Sequence, residues 1–175
     1  MKILIVVDMQ KDFVDGSLGT AEAVATVEPV TTLIESGSFD RVFATRDTHG
    51  EDYLSTREGK HLPVEHCIKN TAGWEIVPPV AAALEKAGAV VLDKPTFGSE
   101  ELVGLAKEVV AGETDVHITL VGLCTDICVV SNAMLLKAAL PEADFAVVAN
   151  ACAGVTPESH AAALQTMQMC QIEIL

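Results

Sequence analysis

The sequence predicts an α/β fold: a single-domain, three-layer α/β/α Rossmann-like sandwich on a mostly parallel six-stranded sheet. Three observations predict it. Short apolar runs alternate with stretches whose apolar residues recur at helical spacing. The runs are apolar throughout, as strands covered on both faces must be. Several helical stretches carry proline at the start or glycine at the stop.

The elements follow in order. KILIVV (2–7) is a β-branched strand that Asp8 ends. Residues 20–36 have helical spacing, interrupted by Pro29. DRVFATR (40–46) is the second strand. Residues 47–75 are polar and irregular, and so long a connection in a compact domain is usually functional. PPVAAALEKA opens a helix over 78–87 that Gly88 stops, and AVVLDK (89–94) is the third strand. A helix over 99–110 leads to DVHITLVG (115–122), the fourth strand. Residues 126–139 form an Ala/Leu-rich helix that ends before Pro141. DFAVVAN (144–150) is the fifth strand, 157–168 a helix opened by TPES, and CQIEIL the last strand. No repeat, linker or low-complexity segment interrupts this order, so residues 1–175 read as one domain.

Composition narrows the function. Half the residues are apolar but only 4% are aromatic, so small aliphatic side chains carry the packing. The formal charge of −14 repels phosphate backbones and anionic membranes, which argues against nucleic-acid and membrane partners. The apolar run Ile3–Val7 is too short for a signal peptide, and no run approaches the ~18 residues of a membrane span. A soluble cytoplasmic protein is expected. In that reducing compartment five cysteines read as free thiols, with Cys152 and Cys170 in the core.

Open parallel sheets bind ligands beyond the carboxyl ends of their strands. Residues expected there are Asp8; Arg46, Asp47 and His49; Lys94; Cys124 and Cys128; and Asn150 and Cys152. A carboxylate, an ammonium and a thiol at one rim are a more specific set than polar residues in general. With Thr125 or Asp126 as N-cap, Cys128 falls in the first turn of a helix, where unpaired N–H groups and the dipole lower a thiol pKa. Alone, Cys128 would more often be a buried apolar thiol, Lys94 a surface lysine and Asp8 a loop cap.

VVDMQKDF (6–13), DKPTFGS (93–99) and VGLCTDICV (121–129) together resemble the three signature blocks of the isochorismatase-like cysteine hydrolases, whose best-known members are nicotinamidases. The resemblance covers nearly the whole chain in the right order. It implies a catalytic triad of Asp8, Lys94 and Cys128, with the backbone amides of Cys124 and Cys128 as oxyanion hole. It also implies a cis peptide at Leu123–Cys124 and a thioester route for cleaving a small amide, nicotinamide first, in pyridine nucleotide salvage. A divalent-metal set would be Asp47, His49 and His66, with Glu58, nine residues after His49, as fourth ligand. Such donors suit zinc, with manganese or iron as alternatives. Phe13 matches a ring-contacting position. Leu62 stands where nicotinamidases usually carry an aromatic residue, so a second aromatic wall is expected to be missing. Family members are often homo-oligomers. Two alternatives remain open: hydrolysis of another small amide, imide or carbamoyl compound, with Arg57 a candidate contact for an acidic one, and a non-catalytic ligand-binding or thiol-switch protein. His61, His117 and His160 have no partner pattern and read as surface or satisfied strand residues.

Overall fold

A computed structural model describes residues 1–175. The strands are β1 Lys2–Val7, β2 Arg41–Asp47, β3 Val90–Lys94, β4 His117–Leu123, β5 Asp144–Ala153 and β6 Glu173–Ile174. The helices are α1 Lys11–Val14, α2 Ala21–Ala25, α3 Val27–Glu35, α4 Arg57–His61, α5 Pro78–Lys86, α6 Glu100–Val109, α7 Val130–Ala139 and α8 Pro157–Met169. A 3₁₀ turn spans Tyr53–Ser55, and a π-helical turn, Thr125–Val129, precedes α7.

The sheet order is β3-β2-β1-β4-β5-β6, and every pairing is parallel, so the expected mostly parallel sheet is wholly so. Right-handed crossovers put α3 and α5 on one face and α6, α7 and α8 on the other. Ile3 to Val7 of the central strand are all but inaccessible, which is what a continuous β-branched run predicts. No helix is long and apolar enough to cross a membrane.

Some expectations change. The helix expected over 20–36 is two, α2 and α3, meeting at Thr26. Pro29 falls in the first turn of α3, where its missing N–H removes no helical bond. The fifth strand extends past Asn150 to Ala153, through a register shift opposite Leu120 and Gly122. Asn150 and Cys152 are therefore strand residues, not rim residues. Cys152 is buried as expected, but Cys170 caps α8 and is exposed. Gly122 is required at the shift. It has φ +114°, and a Cβ there would overlap the Val7 carbonyl of the neighbouring strand.

The strand order reverses between β1 and β4. The end of β1 carries Asp8, and the turn after β4 carries Cys124 and Cys128. Lys94 and Asp47 end the next strands over. The topology thus gathers these residues at the switch point, where open α/β sheets bind ligands.

Candidate active site

Lys94 is the centre of the arrangement. Its side chain is 1% exposed, so its ammonium must be paired. Nζ stands 2.7 Å from Asp8 Oδ2, 3.3 Å from Asp47 Oδ1 and 3.5 Å from Cys128 Sγ. Burial opposes its charge, but Asp8, Cys128 and Asp47 outweigh burial and raise its pKa. Asp8 sits at φ 47°, a left-handed conformation that aspartate tolerates better than most residues. Thr45 Oγ1 donates to its Oδ1 at 2.7 Å. The Lys94 ammonium is the cation against Oδ2, and this buried oxygen has no other donor. Burial raises the Asp8 carboxyl above its ordinary value; Lys94 pulls it down and Asp47 adds to the rise.

Cys128 lies in the π-helical turn, whose N-cap is Cys124 rather than Thr125 or Asp126. The Leu123–Cys124 peptide is cis. Thr125 Oγ1 is engaged with His160 Nδ1 at 2.8 Å, and the Asp126 carboxylate accepts the Val155 N–H at 3.2 Å. Both polar side chains thus tie the turn to the start of α8 instead of capping it. The expected lowering of the Cys128 pKa is overturned. Burial pushes the thiol well above its ordinary value, Asp8 adds to this, and Lys94 only partly opposes it. Cys128 therefore rests as a thiol and needs an adjacent base. Burial also raises Cys124, to about 12, and Cys152, to about 12.

On the far side of Lys94, Asp47, His49, Glu58 and His66 bring four potential ligand atoms within 4.8 Å of one another. Asp47 and His49 come from the end of β2, and Glu58 from α4. His66 arrives because its segment runs parallel to the β2 extension. His49 N–H donates to Cys67 O at 3.0 Å, and Lys69 N–H to His49 O at 2.9 Å. Gln10 fixes the Asp47 backbone: its Oε1 accepts the Asp47 N–H at 2.7 Å, and its Nε2 donates to the Asp47 carbonyl at 2.8 Å. Asp12 holds the His66 segment by accepting the Cys67 N–H at 2.8 Å.

The cluster fits a divalent cation. His49 Nε2 is buried and makes no hydrogen bond, although Asp47 Oδ2 lies only 2.9 Å away. Two donor atoms at that distance, not aimed at each other, can share a third atom. His66 Nδ1 is 2.8 Å from the Val64 carbonyl, which only accepts, so the ring's Nε2 lone pair is left for the cluster. That Nε2 stands 3.6 Å from Asp47 Oδ2 and 3.9 Å from Glu58 Oε1. Burial works against ionised Asp47, but the neighbouring His49 and His66 rings and the charge of Lys94 outweigh it and hold its pKa well below the carboxylate range. An ionised carboxylate, two imidazoles and a second carboxyl suit zinc, manganese or iron.

A cavity of about 350 Å³ opens over both clusters. Cys124, Cys128, Asp47, Glu58 and His66 line its inner end, while Phe13, Leu18, Leu62, Phe97 and Val155 form much of its wall. Phe13 packs on His66 with ring centroids 5.4 Å apart. Leu62, as expected, contributes no ring. The missing aromatic wall is nevertheless supplied, by Phe97, from the loop after Lys94. Its signal was present: an aromatic three residues beyond a strand-ending lysine, in an already notable block. His61 is exposed, as expected of a surface residue, and also lines the cavity, whereas Arg57 does not. His160 has a partner too, Thr125. Every triad and metal residue named from sequence thus reaches one cavity or the buried charge cluster beneath it.

Comparison with known proteins agrees with this geometry. The sequence profile described as the isochorismatase domain matches residues 2–175. A nicotinamidase/pyrazinamidase of Mycobacterium tuberculosis is 29% identical over 100% of this chain and 98% of its own. A nicotinamidase of Saccharomyces cerevisiae is 30% identical, but that match spans only about half of each protein, 54% of this chain and 56% of its own. The crystal structure of the Pyrococcus horikoshii pyrazinamidase in complex with zinc superposes with a TM-score of 0.79 at 28% identity, over 99% of this chain and 98% of that one.

Proposed function

This chain belongs to the isochorismatase family, and we propose from that premise that it hydrolyses nicotinamide to nicotinate and ammonia through a thioester on Cys128. It is a hydrolase of amide carbon–nitrogen bonds, and residues 1–175 act as one catalytic domain. One observation carries the reading. A buried ammonium stands within 3.5 Å of both a carboxylate and a thiol, beneath a cavity that the thiol's residue lines. Burial leaves Cys128 protonated and Asp8 a better proton acceptor than an ordinary carboxylate. The proton therefore has a local destination.

The steps follow from these atoms. Asp8 takes the Cys128 proton as Sγ attacks the amide carbon. The carbonyl oxygen gains the charge, and the Cys124 and Cys128 backbone amides face it. The intermediate collapses to a thioester as Asp8 returns the proton to the leaving nitrogen, releasing ammonia. Asp8 then takes a proton from water, whose oxygen attacks the thioester. Sγ leaves, regains the proton, and the carboxylic acid departs. Lys94 holds Asp8 in place and opposes the negative charge that passes between Asp8 and Cys128.

Asp47, His49, Glu58 and His66 would hold a divalent metal, with zinc the leading candidate. When bound, such an ion supplies a Lewis-acidic anchor for a heteroaromatic nitrogen. Phe13 and Phe97 then offer apolar faces to a flat ring. The cavity lining holds no arginine or lysine, so the alternative substrates bearing a carboxylate, such as ureido acids, lack a guanidinium or ammonium to meet. The thiol-switch alternative leaves the buried Asp8–Lys94 pair unexplained.

The test is Cys128→Ala. Purified variant and parent are assayed for ammonia release from nicotinamide, with thermal melting as the check on folding. The expected outcome is no release above background and an unchanged melt. Turnover by the folded variant would sink the mechanism; a parent active only on other amides would correct the substrate.

A further inference from the structure

Asn132, in the first turn of α7, is completely buried, and nothing in the chemistry above uses it. Its amide is fully committed. Nδ2 donates to the Cys128 carbonyl at 2.8 Å and to the Phe97 carbonyl at 3.1 Å, while Oδ1 accepts the Ser99 N–H at 2.9 Å. Two of these bonds close on the backbone either side of Gly98. The third reaches the residue that carries the nucleophile. Gly98 sits against α7, where a Cβ would reach the end of the Leu135 side chain. The same loop carries Phe97, which is 45% exposed and lines the cavity. A half-exposed ring on a five-residue loop has little of its own to hold it. A buried side chain whose partners are all backbone cannot move without leaving buried polar groups unpaired.

We infer that Asn132 is a positioning residue for substrate specificity: it latches the Phe97 loop to the Cys128 turn, so that the ring stands as a fixed wall for a planar substrate. The latch rests on the amide-hydrolase reading, and it acts on binding rather than on the bond-breaking steps. Its signature is a rise in KM with kcat largely kept. Phe97 should be its route, so removing the ring should remove most of what Asn132 contributes.

The experiment compares the parent, Asn132→Ala, Phe97→Ala and the double variant. Nicotinamide turnover by the parent is measured first, so failure of the amidase reading appears there and failure of the latch only in the variants. Asn132→Ala should raise KM for nicotinamide roughly three- to tenfold, the range of an aromatic contact, with kcat within about twofold. The double variant should be no worse than Phe97→Ala. Hydrogen exchange at Ser99, which needs no substrate, should quicken in Asn132→Ala. Asn132→Asp, isosteric but without the two donors, should repeat the KM effect if the alanine variant folds poorly. The inference is overturned if the loss lies in kcat alone, if the two single penalties multiply in the double variant, or if Ser99 exchange quickens while KM stays put.

Discussion

The cavity has a floor and a wall, built on different terms. The floor — Asp8, Asp47, Lys94 and Cys128 — comes from strand ends and the turn after β4, and all four residues are buried. The wall around Phe13, Leu62 and Phe97 comes from a short helix and loops, and two of its three members are substantially exposed. Register places each floor residue: Asp47 lies opposite Lys94 across β2 and β3, and β1 is paired with β4 up to Gly122. Loop contacts place the wall, among them Tyr53 Oη to the Leu62 carbonyl and Asn132 Nδ2 to the Phe97 carbonyl. A charge cluster that must not shift is set on the rigid part of the fold, and the surface that selects a ligand is set on the part that can vary.

The contrast breaks first, and most, at Lys94. Lys94→Met leaves Asp8 and Asp47 as buried carboxylates without their cation. Breaking such a pair costs about 3–5 kcal/mol, so the melting temperature should fall steeply. Amide hydrolysis should drop by roughly a hundredfold to a thousandfold, as loss of a key electrostatic partner does. Cys128→Ala separates chemistry from stability, because it should abolish turnover while removing only one sulfur from the core. A Lys94→Met protein that melts like the parent would mean the floor is not an electrostatic unit.

The metal cluster comes next. His66→Ala should weaken zinc affinity by at least the roughly tenfold to hundredfold that loss of a supporting group costs, read as less bound zinc by elemental analysis at limiting metal. Activity should fall with it and return in part with excess metal. Unchanged metal content would mean that His66 is not a ligand. Unchanged activity in metal-free protein would remove the ion from function.

A smaller effect tests Asp8 by pH. Asp8 accepts the thiol proton only when ionised, so kcat/KM should fall as pH drops through its pKa. Burial raises that pKa, which puts the acid limb above the ordinary carboxylate range. The Thr45 hydroxyl stabilises the ionised form through its 2.7 Å bond to Oδ1. Thr45→Val should therefore move the limb to higher pH, by roughly half to one unit for one hydrogen bond. A limb that stays in place, or moves to lower pH, would show that Asp8 is not the group titrating.

The floor was legible in the sequence because its residues sit at fixed offsets from apolar runs that register must align. Asp8, Lys94 and the CTDIC block each follow such a run directly. The metal residues were legible only through the family resemblance, because the loop of residues 47–75 has no periodicity of its own, and it takes Gln10 and the pairing of His49 with residues 67 and 69 to show how His66 gets there. The lowered thiol pKa was a local inference from one helix end, and full burial beside a carboxylate overrode it. The links from Thr125 to His160 and from Asn132 to Phe97 join residues 35 apart in each case, with no periodicity to announce them. Phe97 escaped because the missing ring was sought near Leu62, in the histidine segment, and the fold supplies one from another loop.

Leu62→Trp sharpens the contrast with the smallest expected effect. Leu62 is 37% exposed on the cavity wall, so a larger ring there has room to turn and does not overpack a core. If Phe97 already provides the second aromatic face, a third ring adds only a partial contact, and KM for nicotinamide should fall no more than about threefold. kcat should hold, because no floor residue moves. In a Phe97→Ala background the same substitution should recover more, since it then supplies the only ring opposite Phe13. Equal gains in both backgrounds would mean that the two positions contact different parts of the substrate, and that the wall is a set of independent loops rather than one surface.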